Sequence, residues 1–135
     1  MIGSQAVTDL AVYIRKNVEV EVFKYEKPEG FKGSYICVNK LPTSFGDGVN
    51  TSTIVNVNIH VHDLSDQRPD TKNLETLSDK VAALIPTRNA SLEDDDNQLI
   101  INGCWFELES DSNLLKDTDG THFVNLRIQV TFVKL

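Results

Sequence analysis

"TIVNVNIHVHDL", Thr53 to Leu64, alternates more cleanly than any other stretch of the chain. Val55, Val57, Ile59 and Val61 fall on one parity, and Asn56, Asn58, His60 and His62 on the other. In a pleated strand successive side chains point to opposite faces, so this segment reads as a strand with one buried and one wet side. The pattern returns near the C-terminus, where Val124, Leu126, Ile128, Val130 and Phe132 alternate with Asn125, Arg127, Gln129 and Thr131. Strands of this kind build a sheet with one apolar face, and that face needs a cover.

Two amphipathic helices supply it. Val7, Leu10, Ala11, Ile14 and Val18 recur at three-and-four spacing, which predicts a helix from Ser4 to about Asn17 with Ser4 as its N-cap. Leu74, Leu77, Val81, Leu84 and Ile85 predict a second helix from about Thr71 to Ile85, opened by Pro69-Asp70 and stopped by Pro86. Between them "VEVEVFKY" changes to a period of two, with Val18, Val20 and Val22 opposed to Glu19, Glu21 and Lys24. Pro28, Gly30 and Gly33 in "EKPEGFKG" read as a turn between two antiparallel strands, the return strand being "SYICVNKL". "PTSFGDGVNTS", residues 42–52, is too long and too rich in Gly and Pro for a tight hairpin, and reads as a loop.

Downstream, "TRNASLEDDDNQ" reads as an acidic loop with room for a short strand. "LIINGCWFELES" and "HFVNLRIQVTFVKL" are the last two strands, joined through the turn signal Asp119-Gly120. The order α-β-β-β-α-β-β predicts a single α+β domain over residues 1–135. Its sheet, antiparallel or mixed and of about five strands, carries two α-helices packed on one face.

Composition narrows the function classes. At 135 residues, 40% hydrophobic and 24% charged, the chain has the profile of one folded domain. No apolar run approaches the ~20 residues of a membrane span, and the N-terminus lacks the basic and apolar regions of a signal peptide. Thirteen Lys and Arg against twenty Asp and Glu, a formal charge of -7, disfavour binding to a phosphate backbone. Cys37 and Cys104 both sit in apolar strand-like runs and read as buried free thiols.

Each chemical motif has a plainer reading beside it. His60 and His62 lie two residues apart on one strand face, near enough to share a metal ion. A third ligand would come from His122, Asp63 or Asp66, and without it a polar surface is the simpler account. Glu93, Asp94, Asp95 and Asp96 lack the ligand spacing of a calcium loop and read as a solvated acidic run. Asp117, Asp119 and Gly120 in "DTDG" resemble half of such a loop, but the closing Glu is missing and the hairpin turn accounts for them. Cys37 and Cys104 sit mid-strand among apolar neighbours that disfavour a thiolate, and "FGDGVN" lacks the lysine and the strand-to-helix setting of a phosphate loop. The expectation is a non-enzymatic protein with no cofactor, no metal and no catalytic residue.

Over "YICVNKLPTSFGDGVNTSTIVNVNIHVHDL", the helix "NLETLSDKVAALIP" and the closing "NLRIQVTFVKL", the chain resembles the phage tail completion or tail terminator proteins. The resemblance runs from about Thr8 to Leu135. It implies a sheet with two packed helices and a structural virion protein, made in the host cytoplasm, that forms a homo-oligomeric ring, most commonly a hexamer. Such a ring caps the tail tube at its head-proximal end and contacts the tail tube protein and the head-tail connector proteins. DNA passes through its channel without specific binding. On this reading Asn56, Asn58, His60 and His62, with Asn125, Arg127 and Gln129, form an interface or lumen surface. Phe45 and Asp47 in the 42–52 loop and Asp94, Asp95 and Asp96 in the acidic loop are further candidate contacts. The chain departs from the family in its "EDDDN" and "PTSFGDGVN" loops, which leaves a head-closure or connector protein as the neighbouring alternative. A small metal-binding module or enzyme using His60 and His62, and an ordinary cytosolic binding domain, are the alternatives of other classes.

Overall fold

A computed structural model describes residues 3–42, 44–45 and 51–132, the side chains of residues 44, 45, 51 and 95 apart. Its elements are α1 (Ser4–Asn17), β1 (Glu21–Lys24), β2 (Tyr35–Lys40), β3 (Ser44–Phe45), β4 (Thr51–His62), α2 (Thr71–Ala82), α3 (Arg88–Glu93), a 3-10 turn (Asp95–Asn97), β5 (Leu99–Ile101), β6 (Cys104–Asp111), β7 (Leu115–Lys116) and β8 (Thr121–Phe132). The strands form one mixed sheet in the order β1-β2-β4-β8-β6-β5, with β3 pairing β4 and β7 pairing β8. This is the expected α+β class, with more and shorter strands than the sequence pattern resolves.

The alternating strand β4 lies in the middle of the sheet, antiparallel to β8 over its whole length from Thr51↔Phe132 to His62↔Thr121. Val55, Val57 and Ile59 face the core, as do Ile128 and Val130, and none retains accessible surface. Against them lie Val7, Leu10 and Ile14 of α1 and Leu74 and Val81 of α2. Each such aliphatic side chain contributes about 1.5–3 kcal/mol by leaving water. The Tyr13 hydroxyl donates to the Leu84 carbonyl at 3.2 Å, which ties α1 to the turn that ends α2.

Several expectations are corrected. Strands β1 and β2 pair in parallel, Glu21↔Tyr35 through Lys24↔Val38, and do not form an antiparallel hairpin. A period of two carries no strand direction. Here the backbone leaves β1 through a left-handed Tyr25 (φ 68), whose N–H donates to the Val38 carbonyl at 2.7 Å. Residues 25–34 then return as a strap, held down by Phe31 against Phe23 and Tyr35 at centroid distances of 5.0 and 5.9 Å. Because β1 has four residues, that short strap spans a parallel connection that usually needs a dozen or more.

"LIINGCWFELES" is a hairpin and not one strand: β5 and β6 pair from Leu99↔Phe106 to Ile101↔Cys104. Asn102 and Gly103 take φ values of 49 and 76, the left-handed pair that a type I′ turn requires. Within the stretch read as an acidic loop, Thr87 caps α3 by accepting from the Ala90 N–H at 3.4 Å, so a third helix forms there. Gly3, with no side-chain cap, holds the N-cap position of α1 in place of Ser4. The second helix ends at Ala82, three residues short of Ile85, and Asp70 caps its start. Part of the 42–52 stretch pairs as β3, Ser44↔Ser52 and Phe45↔Thr51.

Candidate functional site

Opposite the helices, the second sheet face divides into two regions. Toward one end, Asn39, Asn56, Asn58 and Asn125 come from three neighbouring strands and join through their amides. Asn56 Nδ2 donates to Asn39 Oδ1 at 3.2 Å, while Asn125 Nδ2 donates to Asn56 Oδ1 at 3.2 Å and to Asn58 Oδ1 at 2.8 Å. Cross-strand register produces this ladder, since Asn39 faces Asn56 and Asn58 faces Asn125. Arg127 beside it is exposed, and Gln129 is half-buried. Thus Asn56, Asn58, Asn125, Arg127 and Gln129 do share one solvent-facing surface.

At the other end the expected wet face closes over. His60, the continuation of the asparagine stripe, is only 4% exposed. Its ring is stacked between Tyr35 (centroids 4.3 Å, 10° between planes) and Phe123 (4.5 Å, 19°). These three residues face one another across β2, β4 and β8, so the register builds the stack directly. The strap adds Phe31 against Tyr35 and places the Lys27 ammonium 6.0 Å from the Tyr35 ring centre. His60 is therefore a packed side chain and not part of an open surface.

A hydrogen-bond chain runs from this stack into the β7–β8 turn. Tyr35 Oη donates to Asp119 Oδ2 at 2.6 Å. Thr121 donates to Asp119 Oδ1 from its hydroxyl at 2.5 Å and from its backbone N–H at 3.1 Å. With the hydroxyl proton committed to the carboxylate, Thr121 Oγ1 accepts from His60 Nδ1 at 2.9 Å, which puts the proton of a neutral His60 on Nδ1. Asp117 Oδ2 stands 3.7 Å from the same Nδ1.

These surroundings shift the acids and bases. Burial pushes the His60 pKa below 6.5, against the pull of Asp119 and Asp117, with Lys27 adding to the lowering. Burial acts to raise Asp119, but hydrogen bonds from Thr121 and Tyr35 and the nearby His60 outweigh it and hold the carboxyl below 3.8. Burial, the bond to Asp119 and the charges around it drive the Tyr35 hydroxyl far above its ordinary range. Asp117, Asp119, Thr121 and Tyr35 are thus site residues that periodicity missed. "DTDG" was the signal for Asp117 and Asp119, beyond the turn that it also makes.

His62 does not converge with His60. It is exposed, and its Nδ1 donates to the Asp63 carbonyl at 2.8 Å. His122 pairs instead with the Asp63 carboxylate, Nδ1 to Oδ1 at 2.6 Å. Among the described residues, the histidine that shares a potential metal site with other ligands is His60, together with Asp117 and Asp119.

Of the acidic run, Glu93, Asp94 and Asp96 are exposed. Asp94 accepts from the Asp96 N–H at 3.0 Å and from Asn97 Nδ2 at 3.3 Å, so it organises the 3-10 turn. Asp95 lies in that turn. Phe45 lies on β3, and Asp47 falls outside the described residues. Cys37 and Cys104 are free and buried, as expected. Among the described residues no helix is long and apolar enough to cross a membrane.

No protein-family model matches the chain, and no curated protein matches it. A solved structure is similar to it with a TM-score of 0.64 at 14% identity, over 98% of this chain and 94% of the other. That likeness shows a shared fold across the whole domain.

Proposed function

We propose that the protein is a structural virion component that self-associates into a ring at the head-proximal end of a phage tail, ends tube growth and joins tail to head. The observation that carries this reading is the open amide ladder of Asn39, Asn56, Asn58 and Asn125 on the sheet face away from α1 and α2. Asparagines already held by one another lose little freedom on docking, and they keep donors and acceptors for a second surface. A sheet with two packed helices on its other side is also what the resemblance to tail terminator proteins implies. The ring would contact the tube protein on one side and the connector on the other. Its net charge of -7 suits a channel that DNA crosses without adhering. A head-closure or connector role is the near alternative, using the same surface.

Light scattering across a concentration series, with and without purified tail tubes, tests the reading. The expected result is a closed species of about six subunits or rings seated on tube ends, both lost when Asn58 and Asn125 are changed to Lys. A chain that stays monomeric at every concentration and leaves tube ends bare refutes it.

A further inference from the structure

The geometry points to a binding site for a divalent transition-metal ion at the β4–β8 end of the sheet, formed by His60 Nδ1, Asp117 Oδ2 and a carboxylate oxygen of Asp119. Three observations carry it. First, ligand atoms of these three residues all lie within 4.8 Å of one another. Second, the gap of 3.7 Å between His60 Nδ1 and Asp117 Oδ2 is too long for a hydrogen bond. It is close to the roughly 3.4 Å that separates two ligands on one tetrahedral zinc ion, given metal–ligand distances near 2.1 Å. Third, Asp119 Oδ2 accepts a single hydrogen bond, from Tyr35, and so keeps a lone pair, whereas both lone pairs of Oδ1 are taken by Thr121.

The ring nitrogen is held where an ion needs it. Stacking between Tyr35 and Phe123 fixes the His60 plane, and the Tyr35 and Thr121 bonds to Asp119 orient the carboxylate as outer partners do around metal ligands. Asp117, with a side chain 37% exposed, accepts from the Thr118 N–H at 2.6 Å and from its hydroxyl at 3.4 Å through Oδ1, which leaves Oδ2 as the oxygen that faces His60. Asp117, alone of the three ligands, also lines a cleft of about 440 Å³ together with His62, Asp63, Leu64, Lys116 and Thr118.

One imidazole with two carboxylates selects a borderline ion such as zinc over calcium, which prefers oxygen alone, with the harder manganese as the competitor. The opposing charges are Lys27 over the Tyr35 ring and Lys116 in the cleft wall. Binding replaces the His60–Thr121 hydrogen bond, and the His60 proton moves from Nδ1 to Nε2. The ion would clip the C-terminal end of β4 to the turn before β8. This proposal does not depend on the ring.

The test is equilibrium dialysis and calorimetry of the untagged, EDTA-treated chain with zinc chloride and, separately, manganese chloride. One saturable ion per chain is expected, with affinity lowered at least about tenfold by Asp117→Asn and by His60→Gln. The variant His62→Gln should bind as the parent does. Asp117→Asn leaves every hydrogen bond to Asp119 in place, and circular dichroism checks its fold. In nitrogen-15 spectra the His60 proton should shift from Nδ1 to Nε2 on adding zinc. No saturable binding, or binding removed by His62→Gln and untouched by Asp117→Asn, overturns the proposal.

Discussion

Replacing Asp119 with Ala removes the acceptor on which Tyr35 of β2 and Thr121 of β8 converge. Three hydrogen bonds are lost, from Tyr35 Oη at 2.6 Å, Thr121 Oγ1 at 2.5 Å and Thr121 N at 3.1 Å. Bonds to a charged acceptor are each worth about 1.5–3 kcal/mol, but they are not additive and water reaches this turn. A net loss of about 2–4 kcal/mol follows. Against a domain stability of roughly 5–15 kcal/mol this is a large fraction. For a chain of this length it lowers Tm by about 6–12 °C.

Urea and thermal unfolding at pH 7.5 measure the loss, and a double-mutant cycle with Tyr35→Phe isolates the Tyr35–Asp119 bond. The expected coupling is about 1–1.5 kcal/mol. The conservative Asp119→Asn retains one carbonyl acceptor and should lose less than Asp119→Ala. A loss below about 0.5 kcal/mol for Asp119→Ala, together with an additive cycle, would refute the view that this carboxylate fastens β2 and β8 at the turn.

Stability should fall on the acid side in two stages. Folded His60 resists protonation, so as pH drops below 6.5 the unfolded chain takes the proton first and folding weakens. The folded Asp119 pKa lies below 3.8, so its contribution is present above that value and is lost as pH falls through the folded pKa. A urea midpoint unchanged between pH 7.5 and pH 5 would contradict the first stage. Burial, with Glu26 nearby, pushes the Cys37 thiol up to about 11, and burial with Asp9 raises Cys104. Iodoacetamide at pH 8 should therefore label neither thiol in the native protein and both in urea, whereas rapid native labelling of Cys37 would show that its side of the sheet opens.

Some of this protein was legible residue by residue. The alternation in Thr53–Leu64 and in Asn125–Thr131 gave the two central strands and their buried side, because a pleat imposes a fixed period wherever one face leaves water. The spacing of Val7, Leu10 and Ile14 and of Leu74 and Val81 gave the two covering helices for the same reason. Asn102-Gly103 carried a hairpin signal that the reading of "LIINGCWFELES" as one strand passed over, since that pair favours the left-handed backbone which a two-residue turn needs.

Other features belong to the tertiary structure. Strand direction leaves no mark on a period of two, so the parallel pairing of β1 with β2 depends on Tyr25 and on Phe31 packing back onto the sheet. Polar parity likewise could not separate Asn58, on an open face, from His60, which Tyr35 and Phe123 enclose. Nor could spacing along the chain bring Asp117 and Asp119 to His60, because they meet only when β4 and β8 pair in register. Sequence by itself determined which side of β4 and β8 meets the helices, since that follows from local solvent exclusion. Which distant residues share a site was decided by strand register and packing, which no local pattern encodes.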